Sequence, residues 1–541
     1  MAEISVLPLA CAYWTSEGFY CRNSGTKSCS NCRLVVMTEY CGTACQKAHW
    51  PEHKARCKSD MTKRNWSPAW DREGRDPPWE TGTAATNWQN VFGGSKYLWG
   101  NTPAMDVLRL DQNEGLEYRG DLSLLFAGRS PSTYLPSGDM RHVVKTISDL
   151  PHNAHQRINV VLNDKEFDVV ARNALLLLLA FHVQRLVSGT GHDYVSDAVE
   201  AMIHIWYSAF IPSRILSHLQ TNIKPLIDGV CDQVATQEPT KLQGKTWEFS
   251  SGRSLRLVLK QEHWLQLREY MDVPASLRAE EARLIRTAVT LAPERVDYRD
   301  RWYFKDASPF MRIAKQRFRE DGLLLPFGHP RLGFDVPNPL LMVVSRTLFR
   351  WKSWPMDDKA DPINGWAISA IQQSPSPASS DWYGKLFAYL NVLLKRFIER
   401  LGKFQISFTL HNVDVRELPQ YLNVDRHSRI ETVTEQVNQV SNICDRGYIG
   451  IRNTLSLLGP YLQQPQQNPQ ATLITLFINA IKEVMKEGGA ESEIPNMQYL
   501  SQYIPLPQLI SMPSLSGAGV TRFWDARDLA ADVETFFLRQ A

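Results

Sequence analysis

Seven of the nine cysteines in this chain lie within one stretch of 47 residues, from Cys11 to Cys57. So many cysteines in a short stretch form either a disulfide framework or a metal site. The first residues, MAEISVLPLA, lack the basic segment and the long apolar core of a secretory signal. We therefore expect an intracellular protein, in the cytoplasm or the nucleus, where reducing conditions favour metal binding over disulfides.

The candidate ligands form four pairs, which is enough for two tetrahedral zinc ions. His53 and Cys57 are four residues apart, so on a helix they would share one face. A short segment buries little apolar surface, so zinc would supply most of the folding free energy here. A single zinc ion with spare thiols, or His49 in place of His53, is the alternative interpretation. The predicted metal ligands are Cys11, Cys21, Cys29, Cys32, Cys41, Cys45, His53 and Cys57.

The run from Tyr40 to Cys57, YCGTACQKAHWPEHKARC, resembles the second half of a MYND zinc finger. Nine residues separate Cys11 from Cys21, whereas the first pair of that family is usually separated by two. The resemblance implies a surface that binds a proline-containing peptide of a partner protein, near Val35, Val36 or Trp50. Packing of Trp50 inside the finger is the alternative. Because the ligands of the family interleave, the resemblance also implies one zinc ion on Cys11, Cys21, Cys41 and Cys45, and a second on Cys29, Cys32, His53 and Cys57.

The charge of the chain does not indicate a nucleic-acid partner. The formal net charge is +3. Up to Arg64 the chain has nine Lys or Arg and five Asp or Glu, but seven thiolates and two zinc ions would bring this part to about +1. Strong phosphate binding needs several uncompensated cations. We expect no membrane partner either, because the longest apolar run, from Ala174 to His182, is too short to span a bilayer.

Beyond the finger, the pattern predicts an α/β fold: a doubly wound, methyltransferase-like parallel sheet with a large helical insertion. Short apolar runs at 121–128, 158–164 and 404–414 predict buried strands, and helices are predicted from Met140 and Glu166. One of the candidate helices of the insertion runs from Leu255 to Met271. The predicted parts are a finger at 11–57, a Trp/Pro-rich linker at 58–96, the first half of the α/β domain at 97–190, a mainly helical insertion at 191–402, and the second half with the C-terminal tail at 403–541.

The linker contains tryptophans at positions 66, 70, 79 and 88. A freely disordered linker would not be expected to hold so many aromatic residues. We predict that these tryptophans pin an irregular segment onto the surface of a domain.

Two polar positions follow predicted strands of the sheet, Asp164 and Asp414. The runs INVVLNDKEFDVVARN and HNVDVRELPQYL around them are similar to motifs of class I methyltransferases. The resemblance implies that Asp164 binds the ribose of S-adenosylmethionine and that Asp414 approaches its adenine. The loop after the first strand, AGRSPSTYLPSGD, lacks the glycine-rich sequence of that family. The other known pairing of a MYND finger with methylation uses a SET fold, whose motifs are absent from this sequence.

A further resemblance covers most of the chain. The runs YLWGNTPAMDVL, DLSLLFAG and INVVLND…VARNALLLLLAF resemble the N-terminal, methyltransferase-like domain of the axonemal dynein preassembly factor, and the whole layout resembles fungal MYND proteins. This resemblance implies a fold used for assembly rather than catalysis. We predict a zinc-binding interaction or scaffold protein with no catalytic residues. The alternative is an S-adenosylmethionine-dependent methyltransferase with a degenerate cofactor loop.

Overall fold

The computed structural model describes residues 9–15, 18–29, 39–79, 92–100, 102–128, 139–186, 193–250, 252–344, 352–376, 378, 380–422, 427–431, 444 and 449–475. The strands within these ranges are β1 (Lys27–Ser28), β2 (Glu39–Tyr40), β3 (Leu122–Ala127), β4 (Ile158–Asn163), β5 (Phe210–Ile211), β6 (Leu242–Ser250), β7 (Arg253–Lys260), β8 (Val336–Pro337), β9 (Val343–Val344), β10 (Lys352–Ser353), β11 (Ile406–His411), β12 (Arg429–Glu431) and β13 (Thr472–Ile474).

The α-helices of the same ranges run from the finger to the carboxyl end of the sheet. They are α1 (Thr43–Cys57), α2 (Ala69–Glu73), α3 (Arg141–Asp149), α4 (Phe167–Leu186), α5 (Tyr194–Tyr207), α6 (Ser213–His218), α7 (Lys224–Val234), α8 (Gln261–Glu269), α9 (Ala279–Thr290), α10 (Val296–Asp306), α11 (Pro309–Asp321), α12 (Ile368–Gln372), α13 (Trp382–Lys403) and α14 (Ile451–Leu458).

Seven strands form one central sheet, in the order β13-β12-β3-β4-β11-β7-β6. Every neighbouring pair in it is parallel except β6 with β7. The other strands pair as short antiparallel ribbons: β1 with β2, β5 with β8, and β9 with β10. The predicted α/β architecture with a mostly parallel sheet is therefore confirmed. The finer assignment to a methyltransferase-like fold stays a prediction.

Helices cover both faces of the sheet at β3. The side chains of Leu122 and Leu124 enter the main core, which includes residues of α3, α4, α5 and α13. The side chains of Leu125 and Ala127 enter a smaller core on the other face, with Leu458 of α14. The chain continues from β3 to β4 on one side and later adds β12 on the other. At such a switch point, parallel sheets open a crevice at the carboxyl ends of the strands.

The helix predicted from Leu255 to Met271 is wrong in its first part, because Arg253–Lys260 is the strand β7. Leu255, Leu257 and Leu259 alternate along this segment and are fully buried, which is the two-residue period of a strand. Gly252, with φ +75, lies in the turn that joins β7 to β6. The region predicted as a mainly helical insertion therefore contributes two strands to the central sheet.

Helix α4 is long and apolar enough to cross a membrane, over Phe167–Gln184. Within the protein, however, 89% of that window is buried. Helices in the core of soluble proteins meet the same criterion of length and composition, so the helix is weak evidence for a membrane. Its packing against β4, α5 and α13 agrees with the mostly buried helix that the sequence predicts.

Residues 58–79, here called the strap, lie on α10 and α11. Trp66 is buried beneath the guanidinium group of Arg312, 4.7 Å from its ring centre. Trp70 is fully buried and packs edge-on against Trp79, whose ring in turn contacts Tyr298 of α10. These tryptophans pin the segment onto a domain surface, as predicted. Trp88 lies outside the described residues.

Candidate metal centre

The amino-terminal finger, residues 9–57, begins with a hairpin that brings Cys11 close to Cys21. Backbone hydrogen bonds join Cys11 N–H to the carbonyl of Asn23 and Cys21 N–H to the carbonyl of Tyr13, each at 2.9 Å. Cys11 is thus opposite Asn23, and Cys21 lies two residues further along the same strand. Residues two apart on a strand share a face, so both thiols point to the same side. The hairpin explains how ligands nine residues apart can serve one metal.

Helix α1 carries ligands for both predicted metals. Cys45, His49, His53 and Cys57 follow one another at intervals of four residues and form one stripe along the helix. Cys45 belongs to a first group of potential ligands, while His53 and Cys57 belong to a second. One helix therefore holds both groups at a fixed separation.

The first group consists of Cys11, Cys21, Cys41 and Cys45, whose sulfur atoms all lie within 4.8 Å of one another. The Sγ atoms of Cys21 and Cys41 are 3.6 Å apart, and those of Cys41 and Cys45 are 3.5 Å apart. Four thiolates around zinc at 2.3 Å would be separated by about 3.8 Å, whereas a disulfide bond measures about 2.0 Å. The spacing of these thiols fits a tetrahedral zinc site and not a disulfide.

Polar groups around the first group favour thiolates. The backbone N–H of Cys41 donates to Cys11 Sγ at 3.4 Å, and the Asn23 amide donates to Cys41 Sγ at 3.8 Å. Hydrogen bonds with the thiols of Cys45 and Cys21 lower the pKa of the Cys41 thiol. Zinc binds cysteine as the thiolate, so these contacts prepare the sulfur atoms as ligands. Nothing in the sequence pattern pointed to Asn23.

The second group consists of Cys29, His53 and Cys57, all buried, with Cys29 Sγ 3.9 Å from Cys57 Sγ. Burial, and to a lesser extent the charge of Arg317, lower the pKa of His53 to about 4. The imidazole is therefore neutral at pH 7 and can bind a metal. Cys32, the fourth predicted ligand of this group, lies outside the described residues. The residues present fit two zinc ions, and zinc would fasten the amino-terminal hairpin and β1–β2 to α1.

His49 does not belong to either group of ligands. Its Nδ1 lies 3.0 Å from the hydroxyl group of Tyr40, and its ring stacks on that of His53. This hydrogen bond supports the choice of His53 over His49. Trp50 is half-buried against His53, with the Lys58 ammonium over its ring, so it packs largely within the finger. Val35 and Val36 lie outside the described residues.

One side of the finger rests on the body of the protein. Arg56 of α1 forms an ion pair with Glu320 of α11 at 3.0 Å. Arg312, also on α11, donates hydrogen bonds to the backbone carbonyls of Met61 and Lys63 just after the finger. The hairpin carries two exposed aromatic side chains: Phe19 is 57% exposed and Tyr20 is 43% exposed.

The structure places Asp164 and Asp414 just beyond the carboxyl ends of the paired strands β4 and β11. Asp164 Oδ1 accepts the backbone N–H of Glu166 at 2.7 Å. Asp414 accepts the backbone N–H of Arg416 and also pairs with the guanidinium group of Arg416 at 3.0 Å. Both carboxylates thus stabilise their own loops. Their binding of S-adenosylmethionine stays a prediction.

Gly128, in the loop where a cofactor-binding glycine would stand, is required by strand packing. A Cβ atom there would lie 2.4 Å from the carbonyl oxygen of Asn163 and 2.9 Å from Asp164 Oδ2. The close approach of β3 to the end of β4 is therefore sufficient reason for a glycine at this position.

Two parts of the chain match known families. Residues 19–57 match the family described as the MYND finger, and residues 98–211 match a domain of unknown function (DUF4470). The first match contains every predicted zinc ligand except Cys11, which the hairpin places in the first group. The second runs from just before the sheet to the end of β5. Comparisons with curated proteins and with solved structures gave no match.

Proposed function

We propose that this protein is an intracellular, zinc-dependent interaction protein, in which the MYND finger binds a peptide segment of a partner protein and the α/β body serves as its scaffold. The observation that carries the proposal is the presence of two compact groups of zinc ligands within a matched MYND finger. MYND fingers are generally protein-interaction modules. The spacing of the thiols, at zinc distance rather than disulfide distance, supports a reducing compartment.

The arrangement of the finger on the body supports a particular binding face. The side with Arg56 faces α11, so a partner peptide has no access there. The opposite feature is the exposed pair Phe19 and Tyr20, with the guanidinium group of Arg22 5.8 Å from the Tyr20 ring. Exposed aromatic side chains beside an arginine are typical of interaction hot spots. A proline-containing peptide, which is extended and apolar, could pack against these rings.

The structural role of Asp164 and Asp414 supports a scaffold rather than a catalytic body. Each carboxylate already accepts hydrogen bonds from its own loop. The alternative function, S-adenosylmethionine-dependent methylation, relies on their position at the carboxyl edge of two adjacent parallel strands. Calorimetric titration of S-adenosylmethionine into the full-length protein separates the two: a Kd in the micromolar range that is lost in Asp164→Ala would favour the enzyme.

The interaction is tested by fluorescence anisotropy with a panel of labelled proline-containing peptides and the zinc-loaded, full-length protein. We expect at least one peptide to bind, and the double variant Phe19→Ala/Tyr20→Ala to weaken its binding at least tenfold while keeping its zinc. Leu284→Ala is the matched control, because Leu284 is an apolar side chain of α9 that is 66% exposed. Equal binding by the wild type and the aromatic double variant would show that the face is wrong. Binding that survives complete removal of zinc would contradict the role of the finger.

A further inference from the structure

Arg172 is a buried arginine whose guanidinium group has no hydrogen-bond partner among the residues that the structure describes. Its side chain is 1% exposed, and Nε, Nη1 and Nη2 all lack an acceptor. Three other arginines are buried to a similar degree, and each donates to a carbonyl or carboxylate oxygen: Arg141, Arg286 and Arg429. A buried guanidinium group without acceptors has lost its hydration without compensation. The contrast indicates that Arg172 serves something other than the fold.

Arg172 lies at the edge of the sheet where a ligand would be expected. It is in the second turn of α4, which begins directly after β4, while Arg141 is the first residue of α3, which follows β3. The carboxyl ends of β3 and β4 are adjacent because these strands are parallel and paired. β3 is also the strand at which the chain changes from one face of the sheet to the other, and crevices for ligands open at such points.

The charges around Arg172 leave one positive charge uncompensated. Its neighbouring carboxylates are Asp139 and Asp168. Asp139 accepts from Arg141 Nη1 at 2.6 Å and from the backbone N–H of Gly100 at 3.1 Å. Asp168 pairs with Lys96 and accepts the hydroxyl group of Tyr270. Both carboxylates are thus engaged by other groups, and the cluster holds three cations against two anions.

The environment opposes the charged form of Arg172. Burial is the main cause that lowers its pKa, and the positive charge of Arg141 adds to it, while Asp139 and Tyr207 act in the opposite direction. A bound anion would reverse this effect, since an opposite charge at hydrogen-bond distance favours the ionised group.

We propose that Arg172 binds the anionic group of a small ligand, a carboxylate or a phosphate, at the carboxyl edge of β3 and β4. A guanidinium group offers parallel N–H donors whose spacing matches both groups. The site is separate from the peptide-binding finger, and the chemistry of its ligand is set by one buried positive charge among groups that are already paired.

The test uses the full-length, zinc-loaded protein in a zwitterionic buffer at constant ionic strength, with inorganic phosphate or succinate as the probe and chloride as the reference. The unfolding temperature is measured by differential scanning calorimetry. We expect one probe to raise the Tm of the wild type by about 2 °C at roughly ten times its Kd, increasing with the logarithm of concentration. Arg172→Met should give no such rise, and in chloride alone its Tm should equal or exceed that of the wild type because an unpaired buried charge is gone.

Arg286→Met is the matched control, because Arg286 is as buried as Arg172 but donates to the carbonyls of Phe318 and Arg319. It should lower the Tm and keep the response to the probe. Arg172→Lys, which keeps the charge, serves if the methionine variant does not fold, and should respond only at higher probe concentration. A response to phosphate alone identifies a phosphate group, and a response to succinate alone identifies a carboxylate. No response of the wild type to either probe, or a loss of Tm in Arg172→Met as large as in Arg286→Met, would overturn the proposal.

Discussion

Replacing Trp70 by alanine should release the strap from the body without loss of zinc. The Trp70 side chain is fully buried, in contact with Trp79, which packs on Tyr298 of α10 at a ring distance of 5.3 Å. Burial of an indole removes roughly 200 Å² from water, which is about 5 kcal/mol at ~25 cal/mol per Å². Truncation of a buried tryptophan to alanine costs about 3–5 kcal/mol. The other contacts of this segment include the pairing of Arg75 with Asp297, with Arg75 partly exposed.

The loss would act on the docking of the strap, since the finger is stabilised by its metal ligands and the body by its own core. A loss of about 3–5 kcal/mol corresponds to opening that is more frequent by two to three orders of magnitude. Hydrogen exchange measured by mass spectrometry on peptides that cover residues 58–79 reports this opening. The backbone N–H of Ala69, which donates to Asp300 Oδ2 at 2.9 Å, is the amide to follow.

The matched control is Trp302→Ala, because Trp302 lies on the same helix α10 but stacks on Arg319. This variant should leave the exchange of the strap close to that of the wild type. Zinc content, measured with a chromogenic chelator, should be unchanged in both variants. The reasoning is refuted if Trp70→Ala exchanges like the wild type over 58–79, or if its zinc is lost together with the protection.

Three further predictions follow from the metal groups, the backbone and the buried histidines. Cys45→Ser and Cys57→Ser should each reduce bound zinc from two ions per chain to about one, because the two residues belong to different groups; a chain that still binds two ions contradicts the assignment. Gly322→Ala should destabilise the protein by more than the ~1–2 kcal/mol of a left-handed backbone, since φ is +69 and the new Cβ would lie 2.8 Å from Arg286 and Ala209, whereas Gly333→Ala, with φ +81 and open space around it, should cost the backbone term alone; denaturant midpoints compare the two. Burial lowers the pKa of His204 to about 3 and that of His411 to about 4, so both stay neutral in the folded protein while the unfolded chain protonates them below about pH 6.5. Stability is then fully present above that pH and falls towards pH 4 by at most about 1.4 kcal/mol per pH unit for each histidine; the double variant His204→Gln/His411→Gln should show a shallower loss between pH 7 and 5, and an equal slope would contradict the assignment.

Features that depend on near neighbours in the chain could be read from the sequence. The four-residue spacing of His53 and Cys57 placed them on one face of α1. The apolar runs at β3 and β4, and the helix α4 that follows, formed where they were predicted. In each case the periodicity of the side chains specifies both the element and the face that it buries.

Other features were decided by residues far apart in the sequence. The strand β7 resembles the start of a helix until its alternating leucines are placed beside β11, about 150 residues later. The ion pair of Arg75 with Asp297 and the contacts of Trp70 depend on a helix more than 200 residues away. Sequence periodicity does not specify which distant partner a side chain meets, because that choice is made by the packing of whole elements.

The two predicted sites illustrate this division. The metal ligands were determined by the sequence itself, because thiolates and an imidazole at short spacing have few other uses in a reducing compartment. Asp164 and Asp414 carried a resemblance, yet the folded chain engages them in their own loops. Arg172 carried no signal at all, since an arginine within an apolar helix reads as an ordinary exposed residue. Only the tertiary structure, by surrounding it with carboxylates that already have partners, leaves its charge unsatisfied.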